Sequence, residues 1–121
     1  KEITEFDLQA FAEVTHDSNP IHLDEDYAAT TIFKTRIAHG MLSAGFISAV
    51  IGNQLPGPGA IYMSQTLKFL APVRIGDTVC TKLKLTTLDV VRKRAQFHCQ
   101  CKVGNTVVVE GEALVYVPSR A

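Results

Sequence analysis

The apolar positions of this chain follow two periods, and the change falls near residue 60. Before it the spacing is helical. Phe6, Leu8, Ala10, Phe11, Ala12 and Val14 give a partly helical pattern up to Thr15. Thr4 followed three residues later by Asp7 predicts a reciprocal capping pair at its start. A second short helix is predicted through Tyr27-Ala28-Ala29, capped by Asp24 and broken near Thr30-Thr31. From Ile37 to Leu55 the pattern differs in kind, because no Asp, Glu, Lys or Arg occurs between Arg36 and Lys68. Met41, Leu42, Phe46, Ile47, Val50 and Ile51 fall on several sides of the helical wheel, which predicts a helix buried nearly all round. Its small residues let other backbone approach, and Gly45, which costs about 1 kcal/mol against alanine in a helix, is expected to have a sheet pressed against it.

Leu55-Pro56-Gly57-Pro58-Gly59 ends that helix, and the period then becomes two. Ala60 to Leu70 reads as a first strand, with Ile61, Met63, Leu67 and Phe69 on one face and Tyr62, Ser64, Thr66 and Lys68 on the other. A turn-rich connection over Ala71 to Asp77 leads to a second strand, in which Val79, Thr81, Leu83 and Leu85 share a face. Ala95, Phe97, Cys99, Cys101 and Val103 share the dry face of a third strand, and Gly104-Asn105 turns into a last one, Thr106 to Val117. Helices first and meandering antiparallel strands afterwards give the class α+β. The apolar helix starting near His39 is the element able to cover the sheet.

Composition narrows the picture. A chain of 121 residues is expected to form a single domain over 1–121. Twelve basic and twelve acidic side chains cancel without long blocks of either sign, which points away from nucleic acid and from an anionic membrane as partners. Cys80, Cys99 and Cys101 suit small buried hydrophobes in a reducing compartment better than a disulfide framework, and without a C-x-x-C pair they make no structural zinc site. A cytoplasmic setting is expected, or the mitochondrial matrix if a targeting segment preceding Lys1 has been removed. No Walker or Rossmann glycine pattern is present, so no nucleotide cofactor is implied.

The chemistry is placed in Asp17-Ser18-Asn19-Pro20-Ile21-His22, where a carboxylate, a carboxamide and an imidazole fall within six residues. Pro20 fixes its own φ and keeps Asn19 out of the helical region, so an extended or turning loop is expected between the flanking helices. Asp and His form the commonest pair for moving protons near neutral pH. The same residues are ordinary turn formers, and the segment read alone allows a simple cap.

With these residues in view, the chain resembles the MaoC-like dehydratase family, the hot-dog (R)-specific enoyl-CoA hydratases. The resemblance is carried by Asp17 to Asp24, Tyr27-Ala28-Ala29, Arg36-Ile37-Ala38-His39-Gly40-Met41-Leu42, Phe69-Leu70-Ala71-Pro72-Val73, Ile75-Gly76-Asp77 and Val109-Glu110-Gly111-Glu112-Ala113. It implies a curved antiparallel sheet wrapped around a long central apolar helix. It also implies reversible syn addition of water across a trans-2-enoyl thioester to give the (R)-3-hydroxyacyl thioester, with no cofactor. Asp17 and His22 match the family's catalytic pair, which of them is the base being left open, and Asn19 matches a residue that orients the loop or the water. Gly40 matches the position whose backbone amide receives the enolate oxygen, a role suited to a helix N-terminus. His39 is expected to shape the helix start and to border the substrate pocket. Tyr62 lines an acyl tunnel or forms part of a polar outer face, as do Ser64 and Thr66. Ser48 bonds to a carbonyl one turn earlier or faces the substrate.

The chain departs from the family at two points. Members usually begin earlier with an added strand, so a short N-terminal strand is expected to be lacking, and His16 stands where a glycine is common. A homodimer is implied, with a coenzyme A or acyl carrier protein thioester as substrate and acyl length left open. Other readings are a 3-hydroxyacyl-[acyl carrier protein] dehydratase, a hot-dog thioesterase, a scaffold without catalysis, and a metal site built from His16, Asp17, His22 and His39. The last is disfavoured because none of these residues is spaced i, i+4 on a helix and Pro20 separates them awkwardly, so no metal is expected.

Overall fold

A computed structural model describes residues 1–118. Four helices precede five strands: α1 Glu5–Thr15, α2 Pro20–Leu23, α3 Glu25–Ala29, α4 Gly40–Asn53, β1 Ile61–Gln65, β2 Lys68–Phe69, β3 Val79–Asp89, β4 Arg94–Val103 and β5 Thr106–Tyr116. The strands make one antiparallel sheet in the order β1-β5-β4-β3, with β2 also pairing β5. α4 packs on β3, β4 and β5, giving the expected hot-dog arrangement with the sheet open rather than closed.

Both predicted caps form. Thr4 Oγ1 accepts from the Asp7 amide at 3.2 Å while Asp7 Oδ2 accepts from the Thr4 amide at 2.9 Å, and Asp24 Oδ1 accepts from the Tyr27 amide at 3.1 Å. β4 alternates as its pattern requires, burying Ala95, Phe97, Cys99 and Cys101 against Ile47 and Ile51 of α4. Each large apolar side chain removed from water here stabilises the fold by about 1.5–3 kcal/mol. Cys80, by contrast, is exposed on the edge strand β3, so only two of the three cysteines serve as buried hydrophobes.

Three expectations about the core need correction. α4 is not buried all round: Ser43, Ile47 and Ile51 face the sheet, while Met41 is 56% exposed and Gly45, Ser48 and Ala49 are open. A Cβ on Gly45 would meet nothing within 4 Å, so no sheet presses there. The predicted first strand is split into β1 and β2, and Ile61, Met63 and Phe69 on its presumed dry face are 58%, 44% and 55% exposed. One helix covers only part of a sheet's width, and α4 lies over β3 to β5.

The split in the first strand has a local cause. The backbone at Thr66-Leu67 crosses directly over Gly111 of β5, so closely that a Cβ at 111 would lie 1.8 Å from the Thr66 carbonyl oxygen. A regular ladder cannot pass through that crossing. At the start of the chain, the Ile3 amide donates to Asp77 and the Val79 amide to Lys1, which lays residues 1–3 against the beginning of β3.

Candidate active site

α1 delivers the chain to Asp17 through a sharp reversal. Thr15 Oγ1 donates to the Phe11 carbonyl at 2.7 Å and accepts from the Asp17 amide at 3.2 Å, and His16 takes the left-handed conformation, φ 64°. That conformation explains why glycine suits this position, since it costs an L side chain about 1–2 kcal/mol. Asp17 then stands exposed, its Oδ1 accepting from the Asn19 amide at 3.3 Å.

The segment expected to be a loop throughout becomes a helical turn at Pro20. Proline lacks the N–H that a first helical residue cannot use, and Asn19 Oδ1 caps the turn by accepting from the Ile21 amide at 3.2 Å. Asn19 is thus bonded on both sides, its amide donating to Asp17 Oδ1 and its side-chain oxygen accepting from the Ile21 amide. The turn carries His22 inward to 9% exposure.

His22 is held from three directions. Its Nδ1 donates to the Ile37 carbonyl at 2.7 Å, its own carbonyl accepts from buried Arg36 Nε at 2.8 Å, and its ring stacks on His39 with centroids 3.8 Å apart. With Nδ1 donating, the lone pair of the neutral ring is on Nε2. Burial lowers the His22 pKa below its ordinary value. The Ile37 bond opposes that shift, the neighbouring His39 adds to it, and the Asp17 charge opposes it.

Asp17, His22 and His39 each offer an atom within 4.8 Å of the others. The reason given against a metal, that Pro20 keeps these residues apart, does not hold in the fold. His39 Nε2 lies 3.0 Å from the Asp17 carbonyl and His22 Nδ1 is engaged by Ile37, so each ring keeps one nitrogen outside these bonds, Nε2 of His22 and the buried Nδ1 of His39. His16 is outside this cluster.

Two cavities meet at Met41. One, of about 450 Å³, is lined by His22, His39 and Gly40 together with Phe33, Phe69 and Val73. The other, of about 590 Å³, is lined by Asp17, Phe11, Ser48, Tyr62, Gln65 and Leu67. Gly40 is the first residue of α4, where a backbone N–H has no intrahelical acceptor, and a Cβ there would come within 2.6 Å of the Phe69 ring. Tyr62 borders the second cavity and donates to Gln65, its phenol pushed up to about 12 by burial with a smaller effect from Cys99. Thr66 belongs elsewhere, its hydroxyl accepting from the Glu112 amide at 3.0 Å, and Ser64 is exposed on the edge strand. On β4, His98 Nε2 lies 3.2 Å from Glu110 Oε1.

Arg36, Phe11 and Phe69 stood within the motifs and patterns of the sequence without a role being assigned to them. Arg36 had a visible signal, being the last charge before a long uncharged stretch, and it is 7% exposed and also bonded to Glu5 at 2.9 Å. Phe11 packs on His39 with centroids 4.7 Å apart, a contact without any signature in its spacing.

A family model described as a MaoC like domain matches residues 1–111. The chain is 60% identical over 120 residues to a Rhodospirillum rubrum protein named (R)-specific enoyl-CoA hydratase, which takes in 99% of this chain and 83% of that one. It is 58% identical over 120 residues to a Methylorubrum extorquens protein named 3-hydroxybutyryl-CoA dehydratase, covering 99% of this chain and 76% of its relative. A solved structure described as the (R)-hydratase from A. caviae involved in PHA biosynthesis superposes with a TM-score of 0.94 at 40% identity, covering 98% of this chain and 90% of that one. With the family model matching residues 1–111 and relatives 60% and 58% identical over 99% of the chain, this protein belongs to the MaoC-like dehydratase family.

Proposed function

We propose that this protein catalyses the reversible hydration of a trans-2-enoyl-CoA to the (R)-3-hydroxyacyl-CoA, in fatty-acid or polyhydroxyalkanoate metabolism. The observation that carries the reading is the Asp17 carboxylate and a ring nitrogen of His22 within 4.8 Å of each other, with the His22 Nε2 outside the Ile37 bond, beside two apolar cavities. Two hydrogen bonds of about 2.8 Å reach across such a gap through a single water. His22, neutral and aimed by Ile37, takes the water proton while Asp17 fixes the water's orientation, and hydroxide adds to C3. The electron pair moves onto the thioester oxygen, where the Gly40 amide at the start of α4 stabilises the enolate. The proton then returns from the pair to C2, on the face from which the hydroxyl came. Every step uses a side chain or an amide, so no cofactor is invoked.

An acyl carrier protein in place of coenzyme A is the alternative carrier. A thioesterase would direct water at the carbonyl instead of at C3. Crotonyl-CoA in the presence of a thiol reagent separates these reactions: hydration removes the enoyl absorbance without releasing thiol. Free thiol at the rate of substrate loss would establish hydrolysis instead, and no turnover of any enoyl-CoA or enoyl carrier thioester would end the reading.

A homodimer fits the exposed apolar side chains of Met41 on α4 and of Ile61 and Met63 on β1. β1 is also a sheet edge, which a second copy could extend. A reducing, cytoplasmic setting fits the free thiols of Cys80, Cys99 and Cys101. Among the described residues no helix is long and apolar enough to cross a membrane.

The lowered pKa of His22 gives a signed pH dependence. Protonation of Nε2 removes the base, so kcat/KM for hydration falls on the acid side, and the limb lies below the ordinary histidine value of 6.5. Stability follows the same sign. The unfolded chain takes up the His22 proton first as pH drops, so this contribution is present above the unfolded value and is lost as pH falls through the folded one. A pH–rate profile with its acid limb above 6.5 would contradict this.

Gly40→Ala tests the approach to the helix start. Its Cβ would displace the Phe69 ring, which is 55% exposed and free to swing, into the cavity beside His22. The expected result is a fall in kcat/KM of about 10- to 100-fold with little change in thermal midpoint. Unchanged kinetics would mean that substrate does not approach Gly40.

A further inference from the structure

His39 occupies the N-cap of α4 but does not cap it. Its side chain makes no hydrogen bond to the helix start, where Asn, Asp or Ser would be worth about 1 kcal/mol. Instead its Nε2 donates to the backbone carbonyl of Asp17, 22 residues earlier, at 3.0 Å. The ring lies between Phe11 and His22, 4.7 Å from one and 3.8 Å from the other, and is 2% exposed. Its Nδ1 is buried without a partner, so the ring gains nothing there from being a histidine. The backbone beneath it is fixed, since the Ala38 amide donates to Val73 at 2.7 Å and Ile37 pairs with Arg74.

From this arrangement we infer that His39 is a positioning residue, whose Nε2–H holds the Asp17 backbone and so sets the distance between the Asp17 carboxylate and the His22 ring stacked against it. Asp17 needs such a tie. It is exposed, it follows a residue in the left-handed conformation, and its other nearby restraints come from Thr15 at the end of α1 and from Asn19 in the same loop. The contact from His39 links that loop to α4 and, through the stack, to the element that carries the second member of the pair. The expectation that His39 shapes the start of α4 is replaced by a role directed at Asp17. As a catalytic consequence it rests on the hydratase reading.

Three substitutions separate the donor from the ring. His39→Phe keeps the ring and loses the donor, His39→Gln puts an N–H near the former Nε2 without the ring, and His39→Asn is too short to reach the Asp17 carbonyl. Kinetics with crotonyl-CoA, expressed per folded molecule, are read beside ¹⁵N order parameters for residues 16–19. His39→Phe and His39→Asn are expected to lower kcat about 10- to 100-fold with KM within about threefold, and to loosen residues 16–19. His39→Gln is expected to recover most of the order and at least about fivefold of the rate over His39→Asn. The inference is overturned if the donor-free variants keep kcat within about twofold, if the loss appears in KM, or if His39→Gln is no better than His39→Asn. Wild-type protein that hydrates no enoyl thioester would defeat the hydratase reading, and the order parameters would still decide whether His39 holds the Asp17 loop.

Discussion

Asp17→Asn and His22→Ala each lower kcat for hydration of an enoyl-CoA by about 10²- to 10⁴-fold, the range of a lost general acid–base partner. At 1.36 kcal/mol per factor of ten, that is about 2.7–5.4 kcal/mol of barrier. Asp17→Asn is the cleaner test, because Asp17 is exposed and an amide oxygen can still accept from the Asn19 amide. His22→Ala also removes the Ile37 bond and the stack on His39, so its thermal midpoint is measured alongside and His22→Gln serves as a less disruptive partner. If the pair acts on one shared water, the double variant should be little worse than either single one. Losses that multiply would mean that Asp17 and His22 act in separate steps or on separate molecules.

The largest expected effect on folding comes from a residue with no chemistry. Gly111→Ala would set a Cβ 1.8 Å from the Thr66 carbonyl oxygen, 2.7 Å from its carbon and 3.1 Å from Leu67 Cα. All three are backbone atoms, so no side chain can swing aside. The crossing would have to lift, breaking the bond from the Thr66 amide to the Glu112 carbonyl and that from the Glu112 amide to Thr66 Oγ1. The cost is about 3 kcal/mol or more, or roughly 10 °C in thermal midpoint for a chain of this size. Activity would fall with it, since Phe69 in the displaced β2 lines the cavity beside His22 and Gly40. Gly52→Ala is the control: a Cβ there meets nothing within 4 Å, and alanine in an exposed helix should add up to about 1 kcal/mol. A Gly111→Ala protein as stable as the parent would show that the crossing is looser than described.

What the sequence made legible was whatever depends on local pattern. The capping box at Thr4 and Asp7, the Asp24 cap, the alternation of Ala95, Phe97, Cys99 and Cys101 and the Gly104-Asn105 turn all rest on near neighbours, and all are present. The candidate pair was legible for the same reason, because Asp17 and His22 are five residues apart, on either side of the Asn19 cap. Relations set by packing were not. An apolar helix reads as buried all round whether the sheet covers its whole circumference or only Ser43, Ile47 and Ile51. Likewise a strand from Ala60 to Leu70 looks continuous until the backbone of β5 is brought beneath it at Gly111. The contact of His39 with Asp17 and that of Arg36 with His22 span 22 and 14 residues, and no periodicity encodes them.

The most direct test of a single water held between Asp17 and His22 is the stereochemistry of hydration in D₂O. Crotonyl-CoA is converted in deuterated buffer, and the configuration at C3 and the position of deuterium at C2 are read from the purified 3-hydroxybutyryl product by chiral chromatography and NMR. The shared-water account predicts the (R)-alcohol with deuterium on the same face as the hydroxyl. An (S) product, or deuterium on the opposite face, would mean that the proton and the hydroxide arrive from different sides and would contradict it.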